Sequence, residues 1–332
     1  MYTRVRCGKG FSYRDAQGQT VRDAKVRTWI DSLVIPPAWT DVQISEDRDA
    51  DLLATGRDSK GRKQYRYHTR FRQQQDQAKF DRMIHFAERL DAMRQQTAKH
   101  LRKRGLCKDK ILACMVRLID SAYFRAGNVR YTKQNHSYGL TTLRRRHLSV
   151  DGDELIFSYR GKSGKDQERH VIDRRLSQIV SALSELSGYR LFKYLDEQGE
   201  RHEIDSHDLN DYIRQIMGED FSAKDFRTWG GTVMAALTLA EQDWCNDAKD
   251  QERCLKHAVE KTAERLGNTP TVARGSYIDP RVLLHFQQGR SVADMGRAMK
   301  RLQAKYQYLS DDELRVLCLL RAKVKDDRAI AA

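Results

Sequence analysis

A tyrosine and a scattered set of cations supply the residue types of a phosphoryl transfer. Tyr277 lies in LGNTPTVARGSYIDP (residues 266–280), in a loop bracketed by Pro270 and Pro280, half of the four prolines in the chain. Fourteen tyrosines are present, so Tyr277 stands out only in company with cations. Arg125 lies in LIDSAYFRAGN, Lys162 in FSYRGKSGKD and Arg227 in AKDFRTWGGT, with Lys224 one turn ahead of it. A phenol attacking a phosphodiester produces a pentacoordinate transition state with extra negative charge on the equatorial oxygens. Arginine forks clamp those oxygens bidentately, which lysine does less well. The departing sugar alkoxide is a poor leaving group and needs a proton, which a positioned lysine can supply. The ester left on the tyrosine conserves the phosphodiester's energy, so resealing calls for neither ATP nor a metal ion, and no cofactor is expected.

These residues need elements to hold them. Residues 1–75 read as short strands and turns: Gly8, Gly10 and Gly18 punctuate the start, and Pro36-Pro37 excludes helix. Residues 52–68 (LLATGRDSKGRKQYRYH) hold two β-like runs around a Gly and Lys/Arg turn. From Asp76 the pattern becomes helical, with Phe80, Met83, Ile84, Ala87 and Leu90 in phase and Gly105 closing the segment. Ile111, Leu112, Met115, Val116, Leu118, Ile119 and Ala122 predict a central buried helix, with Arg125 at its end. A β-like interlude follows at 140–150, 154–160 and 168–172, with Lys162 in the tight turn Gly161-Lys162-Ser163-Gly164. Helical patterns resume near Leu176, Asp208, Asp225, Asp247 and Ser310, where Ser310 and Glu313 match a capping box. The expected fold is α+β: a small β-rich N-terminal domain (1–75), then a mostly helical catalytic domain with one small antiparallel sheet (76–332).

The charge names a class of partner. Sixty-one Lys and Arg against 46 Asp and Glu leave a formal net charge of +15, which points to a polyanion, most simply nucleic acid. Residues 56–72 hold seven basic residues and one acid, interleaved with Tyr65, Tyr67 and Phe71, on a β-like segment. A twisted β-ribbon enters a major groove, where Gln64 and Arg66 can reach base edges or phosphates. No run of eighteen apolar residues exists, and the N-terminus has no apolar stretch of the signal-peptide kind, so no membrane span is expected. Six cysteines (Cys7, Cys107, Cys114, Cys245, Cys254, Cys318) without a C-x-x-C pair suit reduced thiols in the cytoplasm. Cys107 and Cys114 read as small core residues at the start of the buried helical face.

The motif set resembles the type IB DNA topoisomerases, specifically their small poxvirus and bacterial branch. KGFSYRDAQGQTVRD, LVIPPAW, ATGRDSKGRKQYRYH, AKFDRM, FRAGNVRY, NHSYGLTTL, GKSGK, AKDFRTWGGT and LGNTPTVARGSYIDP occur in the family's order over nearly the whole chain. The resemblance implies a clamp around duplex DNA. In it Tyr277 forms a 3′-phosphotyrosyl link, Arg125 and Arg227 stabilise the transition state, and Lys162 is the general acid with Lys224 assisting. Asn268 occupies a position that is histidine in the poxvirus enzymes. Asparagine still donates a hydrogen bond to a phosphate oxygen but carries no charge. Gln64, Tyr65 and Tyr67 match groove-contacting residues of the family, with Arg62, Lys63 and Arg66 beside them as DNA contacts. The resemblance also implies a monomer, associated with the nucleoid, that relaxes positive and negative supercoils without ATP. The acidic stretch SEDRDAD (residues 45–51) departs from the more neutral, glycine-containing segment of relatives.

Three other readings use the same residues less well. A tyrosine recombinase shares the Arg, Lys, Arg and Tyr chemistry, but usually carries H-x-x-R where this chain has Lys224-Asp225-Phe226-Arg227, and typically has a helical N-terminal domain. An inactive duplex-DNA-binding relative would be expected to lack one of Arg125, Lys162, Arg227 or Tyr277, and all four are present. A metal-dependent nuclease would have to use His202, Asp205, His207 and Asp208, where Ser206 and Asp208 read instead as a helix N-cap. Asp311-Asp312-Glu313 likewise reads as an acidic first turn facing a helix dipole.

Overall fold

A computed structural model describes residues 1–218, 221–244 and 246–324, so Cys245 lies outside the described residues. The chain divides into two compact units, Met1–Lys79 and Phe80–Ala332. The fold is α+β: an N-terminal antiparallel sheet, then a mostly helical region with small sheets.

The first unit is built on five antiparallel strands: β1 (Tyr2–Cys7), β2 (Gly10–Arg14), β3 (Thr40–Ile44), β4 (Leu52–Arg57) and β5 (Lys63–Tyr67), in the order β2-β1-β3-β4-β5. Its core gathers Tyr13, Ile30, Leu33, Val42, Ile44, Leu53 and Ala54. The all-strand expectation needs a correction here. Helix α1 (Ala24–Ser32) covers the sheet, started by Asp23, whose carboxylate accepts from the backbone N–H groups of Lys25 and Val26. Its apolar stripe, Val26, Trp29, Ile30 and Leu33, has helical i, i+3, i+4, i+7 spacing but spans only two turns beside the Pro36-Pro37 break.

Helix α2 (Thr69–His100) likewise begins seven residues before the expected Asp76. Its first turns, TRFRQQQDQAK, are rich in good helix formers but nearly free of apolar residues, so periodicity is silent there. Helix α3 (Lys108–Ala122) is the buried helix anticipated, with all seven of the named apolar residues buried. Cys114 belongs to that core, but Cys107 is the half-buried residue just outside the helix and provides no side-chain cap. Helix α4 (Val129–Asn135) follows.

The expected strand over 140–150 shrinks to β6 (Leu148–Asp151). Ahead of it stand two 3-10 turns, Leu140–Thr142 and Arg145–His147. The Thr142 hydroxyl engages the N–H and C=O of Gly139, and His147 Nδ1 accepts from Arg144 N. Such local bonds offer the backbone an alternative to the ladder. Strands β7 (Glu154–Arg160) and β8 (Asp166–Ile172) complete a three-stranded antiparallel sheet, pairing Tyr159 with Gln167 and Phe157 with Arg169.

The remaining elements are α5 (Arg174–Glu185), the short pair β9 (Lys193–Leu195) and β10 (Arg201–Glu203), α6 (Ser206–Met217), α7 (Ala223–Ala240), α8 (Ala248–Leu266), α9 (Pro270–Tyr277), α10 (Pro280–Gln287), α11 (Gly296–Gln303) and α12 (Asp311–Arg321). The α6 cap is Asp205 rather than Ser206, with Asp208 closing the box from N3. His202 pairs with Asp196, His207 with Asp211 and Asp208 with Lys108, so the residues of the candidate metal cluster are taken up in separate side-chain pairs. Ser310 and Glu313 form the capping box of α12. Glu313 also accepts from Arg94 of α2 and from Trp229 Nε1 of α7, tying α12 to two helices of the core.

Candidate active site

Tyr277 is the last residue of α9, not a loop residue. Each bracketing proline sits at the first position of a helix, where its missing N–H costs nothing. That leaves Ile278 and Asp279 as a tight joint between α9 and α10. The joint is fastened to α7: Thr232 Oγ1 accepts from Asp279 N at 3.1 Å and donates to Tyr277 O at 3.4 Å. Two glycines let α7 come this close. A Cβ on Gly231 would lie 2.6 Å from Tyr277 O, and one on Gly230 would collide with the Tyr123 ring.

Arg227 rises from the first turns of α7 and is only 2% exposed. Its Nη1 donates to Tyr123 O and its Nη2 to Leu266 O at 2.8 Å. Both carbonyls stand at helix C-termini: Tyr123 ends α3 in the left-handed conformation, and Leu266 ends α8. These are the negative poles of two helix dipoles, so the buried guanidinium is partly compensated without a carboxylate. Its carbon lies 5.1 Å from the centre of the Tyr277 ring. Burial, and then the neighbouring Arg125 charge, bring the Arg227 pKa down to about 10.

The half-buried Tyr277 phenol moves against the direction that burial favours for an acid. Burial alone would raise its pKa. The charge and hydrogen bond of Arg227, with the charges of Arg125 and Lys224, outweigh that and hold it below the ordinary 10. Lys224 itself is exposed, at the start of α7.

Arg125 stands just past α3, on a segment clamped to the turn at Leu140. Leu140 N donates to Arg125 O at 2.8 Å and Thr141 N to Ala126 O at 2.7 Å, while Gly127 and Gly139 stack backbone on backbone. The Arg125 guanidinium donates to Asn268 Oδ1. Asn268 follows Gly267, which closes α8 in the left-handed conformation, and the contact with Arg125 leaves Asn268 Nδ2 buried with no acceptor. Lys162 stands exposed on the β7–β8 turn, with no hydrogen-bond partner among the described residues. The structure thus brings Tyr277, Arg125, Arg227 and Asn268 together, with the Lys224 charge felt at the phenol.

Sequence reasoning passed over three neighbours. Arg169 lies on the inward side of β8, in phase with buried Val171, and is 9% exposed. It donates to Gln167 Oε1 at 2.9 Å and hydrogen-bonds the Tyr159 phenol. The available signal was a cation at a core phase of an alternating strand. Arg169 Nε, Arg227 Nε and Asn268 Nδ2 are all buried donors lacking an acceptor. Burying such donors costs free energy unless an acceptor arrives, and a phosphate brings several.

In the first unit, β5 divides the six basic-patch residues. Lys63, Tyr65 and Tyr67 face outward; Tyr65 is 47% and Tyr67 40% exposed. Their rings stack at 5.9 Å, Phe71 extends the stack at 5.4 Å, and the Lys63 ammonium lies 5.6 Å from the Tyr65 ring centre. Gln64 and Arg66 take the other side: Gln64 Nε2 donates to Asp58, and Arg66 donates to Leu33 O and Val34 O. Arg62 pairs with Asp58 at 2.6 Å and, chiefly by its hydrogen bond, holds that carboxyl at about 2.

Comparison with known proteins covers both units. Residues 68–305 match the family model described as eukaryotic DNA topoisomerase I, catalytic core, and residues 10–58 match that of the bacterial DNA topoisomerase IB N-terminal domain. DNA topoisomerase 1B of Acanthamoeba polyphaga mimivirus is 31% identical over 256 residues, covering 75% of this chain and 76% of the viral one. DNA topoisomerase 1B of Vaccinia virus (strain Copenhagen) and DNA topoisomerase I of Monkeypox virus are each 25% identical over 263 residues, covering 75% of this chain and 78% of theirs.

Proposed function

This chain belongs to the type IB DNA topoisomerase family, and on that premise we propose that it relaxes positive and negative supercoils by nicking and resealing one strand of duplex DNA. The Tyr277 oxygen attacks the scissile phosphorus, and its proton is lost to solvent. The bond from phosphorus to the 5′-oxygen breaks, leaving a 3′-phosphotyrosyl ester. Lys162 gives its proton to the departing 5′-oxygen. Arg125, Arg227 and Asn268 hold the equatorial oxygens, and Lys224 adds charge near the phenol. Resealing is the same exchange run backward, so ATP and metal ions have no step to perform.

One observation carries this reading. A half-buried phenol beside two arginines is shifted towards the phenolate, the form that attacks. The outward Lys63, Tyr65 and Tyr67 row supports duplex binding by the first unit, with Gln64, Arg62 and Arg66 at its margin. The protein acts as a monomer on the nucleoid in the cytoplasm of a bacterial cell. The test is relaxation of positively and negatively supercoiled plasmid in EDTA without ATP, beside Tyr277→Phe, with detergent trapping. Wild type should relax both and yield a 3′ adduct, while the variant binds DNA and yields none. A covalent adduct from Tyr277→Phe would overturn the proposal.

A further inference from the structure

Lys162 reaches out on an exposed turn, yet a general acid must meet the same phosphodiester as Asn268 and Arg125. Gln167 is built to keep them in register. Its aliphatic stem packs on Gly161, where a Cβ would lie 2.7 Å from Gln167 Cγ. Its amide oxygen rests on Gly267, where a Cβ would collide with Oε1. Gly161 immediately precedes Lys162, and Gly267 immediately precedes Asn268. One side chain therefore touches both backbone corners.

Gln167 is itself fixed at both ends of its amide. Oε1 accepts from Arg169 Nη2 at 2.9 Å, and Nε2 donates to Asp166 O at 3.0 Å. Arg169 occupies a core phase of β8, yet its hydrogen-bonding partners, Gln167 and the Tyr159 phenol, are neutral, and the nearby Arg265 and Arg125 charges oppose its own. An apolar residue there would cost less, so stability does not explain the arginine. Orienting Gln167 does.

We propose that Gln167, oriented by Arg169, is a positioning residue that holds the Lys162 turn against the Gly267–Asn268 corner, so that acid and phosphate-binding groups address one phosphodiester. The inference rests on the proposed strand-cleavage chemistry, in which Lys162 protonates the 5′-oxygen. Losing the proton donor costs about 10²- to 10⁴-fold, and a displacement near 1 Å costs on the order of 10²-fold.

The test is single-turnover adduct formation by the full chain on two duplexes, one with the natural 5′-oxygen at the scissile bond and one with sulfur there. A thiolate departs without protonation, so it bypasses the acid alone. Gln167→Ala, at a partly buried position, and Arg169→Met should each slow cleavage by about 10- to 100-fold on the oxygen substrate. Both should return to near the wild-type rate on the sulfur substrate, as should Lys162→Ala, whereas Arg227→Ala stays slow on both. Equal slowing of Gln167→Ala on both substrates, or no slowing on either, would overturn the inference. If wild type forms no adduct with either duplex, the strand-cleavage reading itself fails. If Lys162→Ala is rescued by sulfur and Gln167→Ala is not, only the positioning role falls.

Discussion

Gly231→Ala offers the sharpest probe of how tightly Tyr277, the proposed nucleophile, is seated. In the interior of α7 the exchange should favour the helix by about 1 kcal/mol. The new methyl, however, would stand 2.6 Å from Tyr277 O, 3.1 Å from Leu266 Cδ1 and 3.2 Å from Tyr277 Cβ. Ordinary carbon–oxygen contacts begin near ~3.3 Å, so a gap of roughly 0.7 Å must open. The Leu266 methyl can rotate away, but Tyr277 O is tied to Thr232 and its neighbour Asp279 N is tied to the same hydroxyl. Overpacking of this kind costs about 1–3 kcal/mol, which leaves a net loss of roughly 0–2 kcal/mol after the helix gain. The protein should stay folded with the phenol shifted, and covalent adduct formation should slow on the order of 10²-fold while duplex binding is kept. Gly296→Ala, where a methyl meets nothing within 4 Å, serves as the control and should cleave normally. Single-turnover trapping and thermal melts of both variants decide it. Cleavage at the wild-type rate by Gly231→Ala would refute the argument that this glycine seats Tyr277.

Two further outcomes follow from other parts of the molecule. In a Tyr277→Phe background, Lys63→Ala should lower the slope of log affinity against log salt by about 0.9, while Tyr65→Ala weakens binding and leaves the slope alone, as titrations across a salt series would read. Burial alone would raise the Glu313 carboxyl, but Arg94 holds it below the ordinary 4.5. Its contribution is therefore complete above pH 4.5 and lost as pH falls through the lower folded value. Melting temperature should drop more steeply with acid in wild type than in Glu313→Gln, and the variant should be about 1–3 kcal/mol less stable at neutral pH.

The sequence exposed what was periodic and what was chemically odd. Residues in α3 could be read because a buried helix repeats its apolar face, and β4–β5 because a glycine and basic turn divides two alternating runs. Helix α1 and the first turns of α2 escaped notice for different reasons: α1 has a helical stripe, Val26, Trp29, Ile30 and Leu33, but of only two turns among glycines and prolines, and the first turns of α2 have almost no apolar residues. Tyr277, Arg125 and Arg227 were findable from residue type and motif. That Arg227 rests on the carbonyls of Tyr123 and Leu266 was not, because both partners are backbone atoms and any residue supplies a carbonyl. Gly230 and Gly231 were visible as a pair, but only the packing shows that one makes room for the Tyr123 ring and the other for the backbone of Tyr277.

The fastening of the α9–α10 joint has a mechanical side. A DNA end joined to the Tyr277 oxygen would pull on the backbone at the end of α9. Swivelling of the broken duplex would deliver torque to that point with every turn. Thr232 grips the chain both at Tyr277 and two residues beyond it, so the strain would pass into α7 rather than into a pliant loop. Helix α7 is braced in turn through Trp229 and Glu313 to α12 and α2. The tether on the DNA end would then stay still while the DNA spins, and the phosphotyrosyl bond would remain aligned for the returning 5′-hydroxyl.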